Sequence, residues 1–246
     1  PQDEWFQTAG LSGGADEGRE RIINLCVGRE PRFYAWVGFD GGDYGLRIKN
    51  GEPIHLNNID KNQNGYNRSI RNNSITGFQS QKYIPPTARK SVTDGSWVNF
   101  QWTARAIVRL GELYLIRAEA AAALGNDTQA MSDVNVIRER AGAALLTADH
   151  LSKMSMMEWV KNERMVEFAF EGKRLTDLIR WVEADKYLAA GVRRGLNANV
   201  ENPTVEEFNT PMSIPYNYVW ARRMYLYPIP QNELYSNPQI VQNPGY

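Results

Sequence analysis

Ser155 to Trp181, SMMEWVKNERMVEFAFEGKRLTDLIRW, is the stretch whose reading decides the fold. Ser155 with Glu158 three residues on is a capping box, and Gly172 stands where a helix C-terminus wants a residue free to take positive φ. The pattern predicts one helix from Ser155 to Gly172 and a second after it, over about Arg174 to Ala190. Along the first, Glu163, Glu167 and Glu171 recur every four residues, so three carboxylates share a face. Trp159, Val160, Val166, Phe168 and Phe170 spread apolar surface around the rest. Like charges at that spacing repel. They require Arg164, Lys173, Arg174, Arg180 or cations from another element, and the stretch reads as a polar network set into an apolar packing surface. Glu163 and Glu167 as a glycosidase acid and nucleophile is the competing reading. Consecutive turns of one helix place both on the same wall beside arginines, which keep carboxylates ionised instead of preparing one as a general acid.

Working back toward the N-terminus, ARAIVRLGELYLIRAEAAAALGN from Ala104 to Asn126 predicts a helix of about twenty residues starting near Arg105 and ending at Gly125. Asn126 and Gln129 form a second capping box, opening DTQAMSDVNVIRERAG, which stops at Gly142. Two antiparallel helices joined by a tight turn follow, and Leu110, Gly111 and Tyr114 match the L-G-x-x-Y core of a tetratricopeptide helix. A lone repeat cannot bury its own face, so it needs stacked neighbours. Further upstream, EPRFYAWVGFD at Glu30 to Asp40 predicts a short strand closed by Gly41 and Gly42. LRIKNGEPIHL predicts a hairpin with Asn50 and Gly51 in a type I′ turn. The Asn-rich tract from Asn57 to Asn73 reads as exposed loop. At the other end, YLYPIPQNELYSNPQIVQNPGY reads as an ordered, extended tail wrapped on the body. The expected organisation is a loop-rich segment over 1–104, a helical body over 105–190 and a Pro- and Tyr-rich wrap over 191–246.

Composition narrows the function. The 246 residues are 42% hydrophobic and 23% charged, with Lys plus Arg and Asp plus Glu equal at 28 each. That balance argues against nucleic acid as a partner. The apolar runs fall far short of the roughly 20 residues that cross a bilayer. One cysteine, Cys26, gives no internal disulfide and no multi-thiolate metal site, and His55 and His150 have no helical pairing that would build a zinc site or a catalytic triad. No cofactor, metal or catalytic set is expected. The chain opens at Pro1 without a signal-like region, which reads as a processed product or a fragment.

Several separated segments together resemble one family, the SusD/RagB-like outer-membrane nutrient-binding lipoproteins. EPRFYAWV resembles that family's DPRFYA segment, with Glu30 in place of the more usual aspartate. RLGELYLIRAEA at Arg109 to Ala120 is similar to its RLAELYLxxAEA helix, and VIRERAG follows at Val136 to Gly142. NERMVEFAFEGKRLTDLIRW at Asn162 to Trp181 is the most specific match, and PIPQNEL with NPQIVQNPGY closes the set. The resemblance implies a mainly α fold, with tetratricopeptide-like helix pairs, long irregular loops and a short β-hairpin. It also implies a surface-exposed outer-membrane lipoprotein that hands oligosaccharide to a SusC-like TonB-dependent transporter. Family members are roughly twice this length and carry a lipidated N-terminal cysteine. The chain is therefore read as the C-terminal half, with membrane association only through an anchor outside it, Cys26 lying in INLCVG without a lipobox.

Sugar binding in such proteins would rest on aromatic rings presented from loops, with hydroxyls bonded by Asn, Asp and Arg. Trp5, Trp36, Tyr44, Tyr66 and Trp97 are the candidate platforms, and Asn67, Arg68 and Asn72 the polar companions. Core plugs and plain solvation are the bland alternatives. Glu119, Arg138, Arg140, Glu163, Arg164, Glu167, Glu171, Arg174, Asp177 and Arg180 are assigned to a structural ion network. Two further readings stay open at this point: a RagB-type peptide-binding member, and a helical scaffold without a small-molecule ligand.

Overall fold

The capping signals place the helices. In the computed structural model, Asn126 accepts a hydrogen bond from the backbone N–H of Gln129 at 3.2 Å, and Ser155 from that of Glu158 at 3.3 Å. The structure describes residues 2–11, 18–48, 50–59, 74–91, 93, 96–98, 104–188, 193–198, 200, 202–214 and 218–246. Among them the elements in chain order are α1 (Gln2–Phe6), α2 (Pro31–Trp36), β1 (Val37–Phe39), β2 (Asp43–Arg47), β3 (Pro53–His55), β4 (Phe78–Ser80), β5 (Arg89–Lys90) and β6 (Trp97–Val98). Then come α3 (Leu110–Ala123), α4 (Asp127–Arg140), α5 (Met156–Glu167), α6 (Lys173–Arg180), α7 (Ala184–Leu188), β7 (Arg194–Leu196), α8 (Val205–Asn209), β8 (Pro211–Ser213) and α9 (Gln231–Ser236). The fold is mainly helical with small sheets, and no described helix is long and apolar enough to cross a membrane.

The chain divides into two units, Pro1–Glu167 with Arg194–Met212, and Phe168–Arg193 with Ser213–Tyr246. In the first, α3 packs against α4 and α5 through Leu115, Ala118 and Ala121 of α3, Ala130, Val134 and Ile137 of α4, and Met156 and Val160 of α5, all buried. Gly111 is small for a reason. A Cβ there would stand 2.7 Å from Arg109 Nη1, 3.5 Å from Ile137 Cδ1 and 3.7 Å from Glu167 Oε1, so three elements converge on it. A separate core joins Ile22, Ile23, Cys26, Phe39, Leu196, Ala198 and Phe208. Around it, β1 pairs antiparallel with β4, and a four-stranded sheet runs β3-β2-β5-β6, in which β2 and β5 are parallel.

The second unit holds α6, α7 and α9. Its C-terminal segment is folded on itself by side-chain amides. Gln242 accepts from Ile229 N–H at 2.8 Å and donates to Ile229 O at 2.9 Å, while Asn243 Nδ2 donates to Tyr227 O and Tyr246 Oη to Leu226 O.

Several expectations are corrected. The first helix of the opening stretch ends at Glu167, not at Gly172, because Phe170 takes φ 65° and interrupts it. Gly172, at φ 76°, instead precedes α6. Glu171 thus lies beyond the helix that carries Glu163 and Glu167. The second helix is broken between Arg180 and Ala184, where Val182 takes φ 57°. The helix expected from Arg105 begins at Leu110. Arg109 stays extended, at φ −136° and ψ 158°, which lets its guanidinium reach Glu167. Glu30 to Asp40 is not one strand: Pro31 sits at the first position of α2, where its missing N–H costs nothing, and only Val37–Phe39 pairs as strand. The hairpin between β2 and β3 exists, but Arg47 N–H bonds Glu52 O across a four-residue loop, and of Asn50 and Gly51 only Gly51 takes positive φ, 72°. The type I′ turn is therefore absent.

Candidate ligand cleft and the buried ion network

α5 presents Glu163 and Glu167 one turn apart, 1% and 0% exposed. The sequence reason is the four-residue spacing, which puts both on one face. Arg32 of α2 reaches in to them with Nη1 2.7 Å from Glu163 Oε1 and 2.8 Å from Glu167 Oε2, while its other nitrogens hold both oxygens of Glu30 at 2.7 and 2.9 Å. Arg138 of α4 bonds Glu163 Oε2 at 2.8 Å. Arg109 and Arg140 each bond Glu167 Oε1 at 2.6 Å. The Glu167 backbone carbonyl accepts from Lys82 Nζ and Arg109 Nη2. Burial pulls the Arg32 pKa down, and the carboxylates of Glu30, Glu163 and Glu167 more than offset it, so the guanidinium stays charged with its pKa raised. Glu119 stands 3.8 Å from Arg164 Nε. Of the other network residues, Glu171, Arg174, Asp177 and Arg180 belong to the second unit. There Asp177 and Arg180 pair with each other at 2.9 Å, and Arg174 lies over the Tyr187 ring at 4.9 Å. Glu163 and Glu167 are closed from solvent and held by guanidiniums, so neither can meet a substrate. Arg32, Arg109 and Glu30 are not in the ion network read from the sequence, where Glu30 stands out only as the replacement for the family's usual aspartate. The one signal for Arg32 was its place directly after Pro31 in the EPRFYAWV segment.

The aromatic candidates fall in different surroundings. Trp36 is half-buried, with Lys82 Nζ 3.6 Å from its ring centroid and Arg32 at 6.0 Å, so cations occupy its surface. Tyr44 is half-buried against Gly38, and burial raises its pKa. Trp5 is 47% exposed with Arg29 5.2 Å above its ring. Trp97 contributes backbone pairing with Lys90 in β6. Tyr66, Asn67, Arg68 and Asn72 lie outside the described residues.

What the structure does build is a cleft of about 270 Å³ in the first unit. Its floor is Ile22, Cys26 and Phe39, its rim carries Leu11, Val27 and Tyr34, and Arg19 and Asp43 bring charge to it. Gly41 and Gly42 form one side, and both must be glycine. Gly41 takes φ 77° and an added Cβ would overlap the Gly18 carbonyl oxygen, while at Gly42 a Cβ would press on the Phe39 ring at 2.9 Å. The turn is fixed from behind by Asp40, which accepts from Asn58 N–H at 2.7 Å and from Arg21 Nε at 2.9 Å. Burial raises the Asp40 carboxyl pKa, and Arg21 and the Asn58 amide partly offset it. Tyr34 is the aromatic wall. Its hydroxyl donates to Cys26 O at 2.9 Å and accepts from Arg29 N–H at 3.1 Å, and its ring meets Phe33 edge-on at 5.4 Å, yet 42% of it stays exposed. Arg29 therefore touches both Tyr34 and Trp5. Tyr34 is not among the sequence candidates, although it lies in the same segment as Trp36, because nothing in the segment marks which of its rings lines a cleft.

Cys26 shows how dry the floor is. Burial pushes its thiol up to about 12 from an ordinary 9.0, with Arg29 lowering it and Asp40 raising it by less. A raised folded-state pKa gives stability that is complete below about pH 9 and lost as pH rises toward 12. Between those limits the unfolded thiol ionises first. Wild type should lose stability relative to Cys26→Ala at about 1.4 kcal/mol per pH unit over that window, measured by urea unfolding. A pH-independent difference would place the thiol in contact with solvent.

The sequence model of the SusD family matches residues 10–246. The starch-binding protein SusD of Bacteroides thetaiotaomicron is 28% identical over 186 residues, 74% of this chain and 29% of that protein. The solved structure of BT4246 covers all of this chain at 47% identity with a TM-score of 0.89, this chain spanning 42% of it. A SusD-like protein, BF3747, of Bacteroides fragilis NCTC 9343 is 26% identical with a TM-score of 0.68, over 91% of this chain and 40% of its own. The chain thus spans well under half the length of the relatives it matches.

Proposed function

The chain belongs to the SusD family, and on that premise we propose that it is the glycan-binding part of a cell-surface nutrient-capture protein that carries no catalytic site. The observation that carries the reading is the Tyr34 cleft, where a half-exposed ring fixed at its hydroxyl stands in one concavity with Arg19 and Asp43. A pyranose offers an apolar C–H face to such a ring and hydroxyls to the charged groups, and a rigid aromatic loses little entropy on contact. Trp5, joined to Tyr34 through Arg29, extends the platform for a longer chain of sugars. The name of the Bacteroides thetaiotaomicron relative, a starch-binding protein, supports the ligand class. In the whole protein, captured oligosaccharide passes to a SusC-like TonB-dependent transporter in the outer membrane, with a lipid anchor holding the protein at the surface.

Affinity electrophoresis through gels containing soluble polysaccharides tests this, with amylopectin as the first probe. Retardation is expected, and Tyr34→Ala should weaken binding about tenfold whereas Tyr34→Phe, which keeps the ring, should not. Migration unchanged on every glycan, combined with calorimetric heat from oligopeptides, would overturn the reading in favour of peptide cargo.

A further inference from the structure

The second unit contains its own groove, about 700 Å³ in volume and open to solvent, which nothing above assigns. Ile179, Val182 and Leu226 form an apolar floor, with Val182 67% and Leu226 51% exposed. Tyr225 is a fixed wall. Its hydroxyl accepts from Asp185 N–H at 3.0 Å, and its ring meets Trp220 edge-on at 5.2 Å, Trp220 being held in turn by Asp185 Oδ1 at 2.9 Å. Arg222 and Arg223 also line it, and among the described residues no carboxylate side chain does. Among the described residues neither arginine joins an ion pair. Arg223 donates only a long bond, 3.3 Å, to Gly245 O and lies 5.5 Å from the Tyr246 ring, and Arg222 is exposed.

We propose that this groove is a subsite for anionic sugars, whose ring lies on the apolar floor while a carboxylate or sulfate ester pairs with Arg222 and Arg223. The inference rests on the glycan-binding reading and adds a substrate class to it. Three features converge. The volume falls within the range of ligand sites, the floor suits the C–H face of a pyranose, and two lining arginines, consecutive in sequence and without acidic partners among the described residues, complement a negative charge, each with a planar fork that fits carboxylate and sulfate oxygens. A neutral sugar could meet these guanidiniums only through hydroxyl hydrogen bonds and would leave their charge unbalanced.

Calorimetry with maltohexaose, hexagalacturonate and a κ-carrageenan hexasaccharide separates neutral, carboxylate and sulfate chemistry. At least one anionic oligosaccharide should bind, more weakly as salt is raised, and the Arg222→Ala/Arg223→Ala double variant should lose about tenfold or more of that affinity while its melting temperature and its response to maltohexaose stay those of wild type. Which of the two anionic probes binds assigns the group. Anionic affinity unchanged in the double variant, or no anionic probe binding while maltohexaose does, overturns the subsite and leaves the glycan reading standing. Silence of all three, with no polysaccharide retarding the protein, overturns both.

Discussion

Glu167→Ala is expected to lower unfolding stability by roughly 3 to 5 kcal/mol. The size follows from what the carboxylate holds. Glu167 is fully buried and binds Arg32, Arg109 and Arg140 at 2.8, 2.6 and 2.6 Å. The three do not suffer equally from its removal. Arg140 and Arg109 have 56% and 25% of their side chains exposed and can rehydrate, whereas Arg32, at 5%, is left with a charge only Glu163 and Glu30 then balance. A cavity between α3, α4 and α5 adds to the cost. Glu167→Gln keeps the volume and one acceptor, so its loss should be smaller. Urea unfolding with an unchanged m-value measures both. A loss below about 1 kcal/mol for Glu167→Ala would mean that solvent reaches the site.

Arg32→Ala should cost about 3 kcal/mol, because it removes the cation shared by Glu163, Glu167 and Glu30. Arg32→Lys should not rescue most of it. A guanidinium uses Nη1 on the two α5 carboxylates and Nε with Nη2 on Glu30, and an ammonium cannot span that arrangement. In the Arg32→Ala/Glu167→Ala double variant the effects should fall short of additive by about 0.5 to 3 kcal/mol, since both act on one contact. Strict additivity would show that the two residues sit in separate networks.

How much of this was legible in the sequence depended on distance along the chain. α4 and α5 were readable because each opens on a capping residue whose partner lies three positions on. The four-residue repeat of Glu163 and Glu167 showed that they share a face and need cations. It could not show that the central cation, Arg32, comes from 135 residues away. The helix end was misplaced because Phe170 takes a left-handed φ that nothing in its type announces, while Gly172 offered an obvious but later stop. The aromatic candidates share one sequence criterion, lying outside strong helices, and the structure instead places Trp5 in α1 and Trp36 in α2. That criterion kept Trp5, which is exposed, but also Trp36, whose ring is covered by Lys82. It does not single out Tyr34, whose place in the cleft depends on a turn made by Gly41 and Gly42 several residues later. The family resemblance was carried by short motifs and so identified the fold without pointing to the cleft.

α2 and α5 supply the charged cross-ties of the helical body, and the Tyr34 cleft is where we propose that the ligand binds. One paired measurement tests that separation most directly, unfolding free energy and amylopectin affinity determined side by side for Glu167→Gln and Tyr34→Ala. Glu167→Gln should lose stability and, at a temperature where it is folded, keep wild-type affinity, whereas Tyr34→Ala should lose about tenfold in affinity with the smaller stability change. Loss of affinity in folded Glu167→Gln together with wild-type affinity in Tyr34→Ala would contradict the account and return the ligand to the charged stretch.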